Sequence, residues 1–168
     1  YTYSELAELI SKVASGFESY GIGSGSVVAQ FAENSPRWLI TDQALMRAGA
    51  SNAVRGASAP IEELRYILSD SSCIALVVQT AELWRNLDLD DLQRKQLKLV
   101  VQLEGEPKDK DVVRWDSLIA AGAGRYKADL MEGRDPGSAS STIATILYTS
   151  GTTGKPKGVP LTHANLLH

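Results

Sequence analysis

Short apolar runs of strand character alternate with segments of helical periodicity along most of this chain. The predicted strands fall at residues 27–31, 50–54, 73–78, 97–103 and 142–148. The predicted helices between them begin near Thr2, Pro36, Pro60, Leu83 and Trp115. Strands that alternate with helices pair in parallel through right-handed crossovers, and the helices cover the sheet. The pattern therefore predicts an α/β fold with a parallel β-sheet flanked by helices.

Several helix ends are marked by their own residues. Thr2 and Glu5 form a capping-box pair, and Asn34-Ser35-Pro36 supplies a cap followed by a proline in the first turn. The glycines between residues 21 and 25 precede a strand instead of following it, so they indicate a plain turn and not a dinucleotide-binding fingerprint. Residues 104–111 and 122–141 are polar or glycine-rich, and we expect them to be surface connections.

Charge and composition exclude several classes of protein. The 168 residues suit one globular domain, and 17 basic against 20 acidic residues give a net charge of −3, so sequence-independent nucleic-acid binding is not expected. The longest apolar runs are about six residues, far below the ~20 of a membrane-spanning helix. Cys73 is the only cysteine, in an apolar run that predicts a buried, inert thiol and a reducing compartment.

A glycine-rich segment, defined here as residues 148–159, follows the last predicted strand. From Thr149 it continues Ser-Gly-Thr-Thr-Gly-Lys-Pro-Lys-Gly-Val. Glycines allow a ligand to approach the backbone closely, hydroxyls and backbone N–H groups can donate to phosphate oxygens, and the two lysines can neutralise a polyphosphate. A Walker A loop is excluded, because Thr149 stands where that motif needs glycine and Pro156 follows Lys155. A flexible surface loop with solvated lysines is the less favoured alternative.

The residues from Tyr148 to Val159 resemble the AMP-binding signature of the adenylate-forming superfamily. A second similarity, in residues 31–38, 42–43 and 54–56, is to long-chain acyl synthetases, and among them to the fatty acid:acyl-carrier-protein synthetases of cyanobacteria and plastids. The resemblance implies that residues 1–168 are an N-terminal portion of the large N-terminal domain of such an enzyme, ending just after the phosphate-binding loop. The fragment alone is then expected to be inactive.

The resemblance also implies an activity. A long-chain fatty acid would be activated with ATP to an acyl-adenylate and then transferred to the thiol of coenzyme A or of the phosphopantetheine arm of an acyl-carrier protein. The residues expected to bind ATP are Thr149, Ser150, Gly151, Thr152, Thr153, Gly154, Lys155, Lys157 and Gly158. Lys157 is the catalytic candidate, since its charge would oppose the charge of departing pyrophosphate alongside Mg²⁺.

Metal and partner expectations complete the hypothesis. Asp88–Asp91 lacks the pattern of a calcium loop, and His163 and His168 have no ligands at zinc spacing, so no protein-held metal is expected. The expected partners are ATP, fatty acid and an acyl-carrier protein, in the cytoplasm or in a plastid stroma, with peripheral membrane association left open. Two alternatives remain: a non-catalytic nucleotide-binding or regulatory module, and an interaction domain whose glycine-rich segment is a relic.

Overall fold

The computed structural model describes residues 1–125, 141–149 and 155–167. Seven strands in these ranges form one sheet in the order β5-β4-β3-β1-β2-β6-β7. The strands are β1 (Val27–Phe31), β2 (Ser51–Arg55), β3 (Ala75–Val78), β4 (Leu99–Gln102), β5 (Val112–Arg114), β6 (Ile143–Thr149) and β7 (Lys157–Thr162). Strands β1 to β6 pair in parallel, and β7 pairs antiparallel with β6. The predicted α/β class and parallel sheet are confirmed.

Seven helices accompany these strands in the described ranges. They are α1 (Tyr3–Ser19), α2 (Pro36–Ala48), α3 (Ile61–Asp70), α4 (Ala81–Asn86), α5 (Asp91–Gln96), α6 (Trp115–Ala123) and α7 (His163–Leu166). The caps at Thr2 and Ser35 form as predicted: Thr2 accepts from the Glu5 N–H at 3.3 Å and Ser35 from the Trp38 N–H at 3.1 Å. Asp90, in the acidic run at residues 88–91, caps α5 by accepting from the Gln93 N–H at 2.8 Å. In the described ranges, no helix combines the length and the apolar character that crossing a membrane requires.

Helices cover both faces of the sheet, and a hydrophobic core fills each interface. Helices α1, α2 and α6 bury side chains such as Phe17, Leu45 and Leu118 on one face. Helices α3 and α4 bury Leu64, Trp84 and their neighbours on the other. This division follows from right-handed crossovers, which place a helix on one face or the other according to the direction in which the chain moves along the sheet. The chain moves one way from β1 to β2, through α2, and the other way from β2 to β3 and β4, through α3 and α4. Cys73 is buried in the second core, and burial raises the pKa of its thiol, as predicted for an inert cysteine.

Three local predictions need correction. Strand β5 was not predicted, because three residues carry too little periodicity to be recognised. The glycine-rich segment was interpreted as loop from residue 149 to 159, yet Thr149 ends β6 and residues 157–159 begin β7. Pro160 lowers the strand character of β7, but proline is tolerated here because β7 is the edge strand of the described sheet.

The third correction concerns Gly122, which was predicted to lie in an irregular connection and instead lies in α6. A Cβ atom at Gly122 would come within 1.7 Å of the Lys12 carbonyl oxygen on α1. On the opposite helix, a Cβ at Gly16 would lie 2.4 Å from the Leu118 carbonyl oxygen. The two glycines therefore let the backbones of α1 and α6 touch. The predicted connection continues through residues 126–140, which lie outside the described residues.

We predict that Gly122→Ala lowers the free energy of unfolding by roughly 2 kcal/mol or more, since a backbone contact cannot be relieved by rotating a side chain. Gly124→Ala is the matched control, because a Cβ there meets no atom within 4 Å. We expect the control to change stability by no more than about 0.5–1 kcal/mol, towards greater stability. Urea unfolding of both variants measures the difference, and equal midpoints would contradict the close packing of α1 on α6.

Candidate functional site

The carboxyl ends of the parallel strands lie at one edge of the sheet. Strands β1 and β3 are neighbours there, and the connections that follow them leave in opposite directions, towards β2 and β4. In open α/β sheets, ligands bind outside the carboxyl ends of strands near such a reversal. Strand β6, which leads into the glycine-rich segment, ends at the same edge two strand positions from β1, or about 10 Å away at ~4.8 Å per strand. The fold therefore places the end of β6, from which the glycine-rich segment continues, at a suitable edge.

A hydrogen-bonded polar network ties together the loops that follow β1 to β4. The Glu33 carboxylate accepts from the Ser58 N–H at 2.9 Å, and the Glu33 N–H donates to Gln79 Oε1 at 3.1 Å. Gln79 Nε2 donates in turn to the Glu104 carboxylate at 3.2 Å. Donation from the backbone and then the hydroxyl of Ser58 lowers the pKa of Glu33, which keeps this carboxyl ionised. The network thus places the carboxylates of Glu33 and Glu104 at this part of the edge, where Arg55 ends β2.

Two lysines, Lys155 and Lys157, lie at the other end of this edge, at the β6–β7 hairpin. Thr149, the last residue of β6, pairs directly with Lys157, the first residue of β7. Directly opposite residues in an antiparallel pair point to the same side of the sheet, so the Thr149 hydroxyl and the Lys157 ammonium share one side. Both side chains are exposed, as is that of Lys155. Of the nine predicted site residues, five lie outside the described residues: Ser150, Gly151, Thr152, Thr153 and Gly154.

Gly158 lies against the ring of Tyr148 in the β6–β7 ladder. The two residues pair directly, and a Cβ at residue 158 would be 3.0 Å from Tyr148 Cζ and 3.2 Å from its hydroxyl oxygen. The missing side chain thus provides the space that the tyrosine ring occupies. This packing function, which the sequence analysis did not assign, accounts for the glycine at position 158.

Tyr148 is buried on the face covered by α3, and its hydroxyl donates to Asp70 Oδ2 at 2.8 Å. Burial is the main cause that raises the pKa of the Tyr148 phenol, and the hydrogen bond to the Asp70 carboxylate raises it further. The phenol therefore stays protonated and remains a donor at neutral pH. Sequence analysis missed Asp70, and a local signal was available: Tyr66 and Asp70 are one helical turn apart near the end of α3.

The chemistry of the hairpin fits a phosphate ligand better than a protein-held metal. Hydroxyl and ammonium groups that share one side of the sheet are donors for phosphate oxygens. Within the three described ranges, no group of three or more His, Cys, Asp or Glu side chains is placed to bind a metal ion. We therefore assign no metal ligand among the described residues.

Comparison with known proteins assigns this arrangement to a family. The model of the AMP-binding enzyme family matches residues 1–168, which is the whole chain. The chain is a member of the AMP-binding enzyme family. The resemblance noted in the glycine-rich segment is thereby confirmed.

Two relatives in this family carry names from fatty-acid activation. The chain is 36% identical over 180 residues to the chloroplastic long-chain-fatty-acid–[acyl-carrier-protein] ligase AEE15 of Arabidopsis thaliana, covering 99% of this chain and 25% of that protein. It is 33% identical over 174 residues to the long-chain-fatty-acid–CoA ligase FadD15 of Mycobacterium tuberculosis, covering 99% of this chain and 27% of that protein. The chain thus spans about a quarter of the length of these curated relatives.

A solved structure of the same class shares the fold. The long-chain-fatty-acid-CoA ligase FadD1 of Archaeoglobus fulgidus superposes with a TM-score of 0.76 and 31% identity, over 97% of this chain and 30% of that one. The adenylate-forming fold and the similarity to long-chain acyl ligases, both predicted from sequence, are confirmed by these comparisons.

We predict that the free energy of unfolding of this chain falls as pH rises above about 10, and that Tyr148→Phe reduces this dependence. An unfolded tyrosine ionises near pH ~10. Because folding raises the pKa of Tyr148, its stabilisation is present below that pH and is lost as pH rises towards the folded-state value. Urea unfolding at steps between about pH 9 and 11 gives the two curves. Parallel curves for the wild type and the variant would contradict the shifted pKa.

Proposed function

We propose that the protein containing this chain activates a long-chain fatty acid with ATP and transfers the acyl group to a pantetheine thiol. The observation that carries the proposal is the position of the glycine-rich segment. Thr149 and Lys157 of this segment pair at the end of β6, at the carboxyl edge of the sheet, in a member of the AMP-binding enzyme family. The names of the relatives, both of which specify long-chain fatty acids, support the choice of substrate.

The proposed reaction has two steps. A carboxylate oxygen attacks the α-phosphorus of ATP, the bond from that phosphorus to the β-phosphate oxygen breaks, and pyrophosphate leaves. A thiolate then attacks the acyl carbon and AMP leaves, so that a thioester forms. Most of what a protein contributes to the first step is positioning and neutralisation of charge.

In this proposal the hairpin residues hold the outer phosphates. Thr149, together with residues 150–154, donates hydrogen bonds to the β- and γ-phosphates, and Lys157 opposes the charge that develops on pyrophosphate. Lys157 suits this role because its exposed ammonium is on the same side of the sheet as the Thr149 hydroxyl. Mg²⁺ bound with ATP would neutralise further phosphate charge.

The distribution of charge along the edge supports this placement. Glu33 and Glu104 belong to the network at the ends of β1 to β4, whereas Lys155 and Lys157 are at the β6–β7 end. A polyphosphate would be repelled from the first group and attracted by the second. We therefore propose that the triphosphate tail lies over the hairpin.

The acceptor thiol belongs either to coenzyme A or to an acyl-carrier protein. One relative is named as a ligase for each acceptor. Parallel thioester assays with the two acceptors distinguish them. The proposed compartment is the cytoplasm or a plastid stroma, the latter supported by the chloroplastic name of one relative. Nothing in the described residues supports peripheral membrane association, and the proposal does not include it.

We predict that Lys157→Ala lowers fatty-acid-dependent ATP–pyrophosphate exchange of the full-length protein by about 10²-fold or more, as expected for loss of a charge contact in the transition state. Lys95→Ala is the matched control, since Lys95 is an exposed lysine on α5, in a different part of the fold. The control should exchange at the wild-type rate. Unchanged exchange in Lys157→Ala would remove its assigned role, and the absence of fatty-acid-dependent exchange in the wild type would overturn the proposed function.

A further inference from the structure

Asp70 binds two tyrosine hydroxyls from different elements. Its Oδ2 accepts from Tyr148 on β6, and its Oδ1 accepts from the Tyr66 hydroxyl at 3.0 Å. Tyr66 and Asp70 are both on α3, so a single carboxylate joins the end of this helix to the strand that leads into the glycine-rich segment. Hydrogen bonds to an ionised acceptor are about twice as strong as neutral ones.

Tyr66 also contacts the far side of the same segment. The Lys155 ammonium lies over the Tyr66 ring, 5.6 Å from its centroid, which is within the range of a cation–π interaction. Lys155 is the first described residue after residues 150–154, and Tyr148 lies two residues before them. Helix α3 thus contacts the chain on both sides of the residues proposed to bind phosphate.

Gly158 provides a third constraint on this arrangement. Its lack of a side chain leaves room for the Tyr148 ring, and the hydroxyl of that ring reaches Asp70. The backbone around Tyr148 is therefore restrained by the ladder with β7 on one side and by α3 on the other. Groups that bind a ligand must be held within about 0.5 Å of their working geometry, and such restraints provide this precision.

We propose that Asp70 and Tyr66 are positioning residues: through Tyr148 and Lys155 they hold residues 148–149 and 155–157 in the geometry that receives the phosphates of ATP. This inference rests on the proposed function. Neither residue is assigned a contact with ATP. If they act by positioning, weakening the cluster reduces affinity for ATP and leaves affinity for the fatty acid unchanged.

The test is the KM for Mg-ATP and for fatty acid in the exchange reaction of the full-length protein. We expect Tyr148→Phe and Asp70→Ala each to raise the KM for ATP by about tenfold, the size expected for a hydrogen bond to a charged group. The KM for fatty acid should stay within about twofold of the wild type, since the cluster touches only the phosphate side. Because both changes remove the same Tyr148–Asp70 hydrogen bond, the KM for ATP of the double variant should also rise about tenfold and not about a hundredfold.

Two variants of Tyr66 distinguish the contribution of its ring to the KM for ATP from that of its hydroxyl. Tyr66→Phe keeps the ring under Lys155, and we expect a KM for ATP within about twofold of the wild type. Tyr66→Leu removes the ring, and we expect an increase of roughly two- to fivefold, as loss of an exposed cation–π contact predicts. Gly122→Ala controls for stability, because it disturbs the α1–α6 contact far from α3 and should lower the melting temperature without changing either KM.

The outcomes separate this inference from the proposed function. If the wild type catalyses exchange and the variants melt lower but keep the wild-type KM for ATP, the cluster is only structural and the inference is wrong. If the wild type shows no fatty-acid-dependent exchange, the proposed function fails, and calorimetric titration of the same variants with Mg-ATP decides the positioning role. Weaker binding in Tyr148→Phe then supports it, whereas equal affinity, or no binding by the wild type, overturns it. If Asp70→Ala does not fold, Tyr148→Phe alone decides.

Discussion

Parallel pairing around β1 is the constraint on which the rest of the structure depends. Strand β1 pairs with β2 on one side and β3 on the other, and its residues are almost entirely buried. Parallel neighbours require long crossovers, and right-handed crossovers that leave in two directions place helices on both faces. The same geometry gathers the loops after β1, β2, β3 and β4 at one edge, where Glu33, Gln79 and Glu104 connect them. The framework of the site is thus a consequence of sheet topology.

Local signals in the sequence predicted most of this framework, because they act over a few residues. Capping pairs such as Thr2 with Glu5, apolar runs such as residues 75–78, and the alternation of strands with helices appear as predicted. The interactions that were missed join distant residues. Tyr148 and Asp70 are 78 positions apart, and a single sequence contains no signal that pairs them. The contact of Gly122 with Lys12 was missed for the same reason, since glycine near a predicted helix end has the local appearance of a stop signal.

The glycine-rich segment shows the same division between local chemistry and distant contacts. Its residues resemble the AMP-binding signature, and its donors and lysines suit a phosphate ligand whatever the surrounding fold. Composition could not show which of these positions are exposed and which pack within the fold. Thr149 and Lys157 are a paired, exposed couple, whereas Tyr148 and Gly158 form the next pair of the ladder and pack together on the other side. Adjacent positions in one motif therefore have different functions, because side chains alternate between the two sides of a sheet.

This alternation explains why one segment can combine a buried side that packs against α3 with an exposed, positively charged side. The buried side of the hairpin holds Tyr148 against Asp70, and burial together with that carboxylate keeps the phenol protonated. The exposed side presents the lysine ammonium and the threonine hydroxyl without competing ion pairs among the described residues. Asp70 contacts the hairpin from the side opposite to Thr149 and Lys157, so the sheet separates its charge from that pair. A carboxylate on one side of the sheet can therefore stabilise the hairpin, while the other side stays available to a phosphate ligand. The sheet itself separates these two functions.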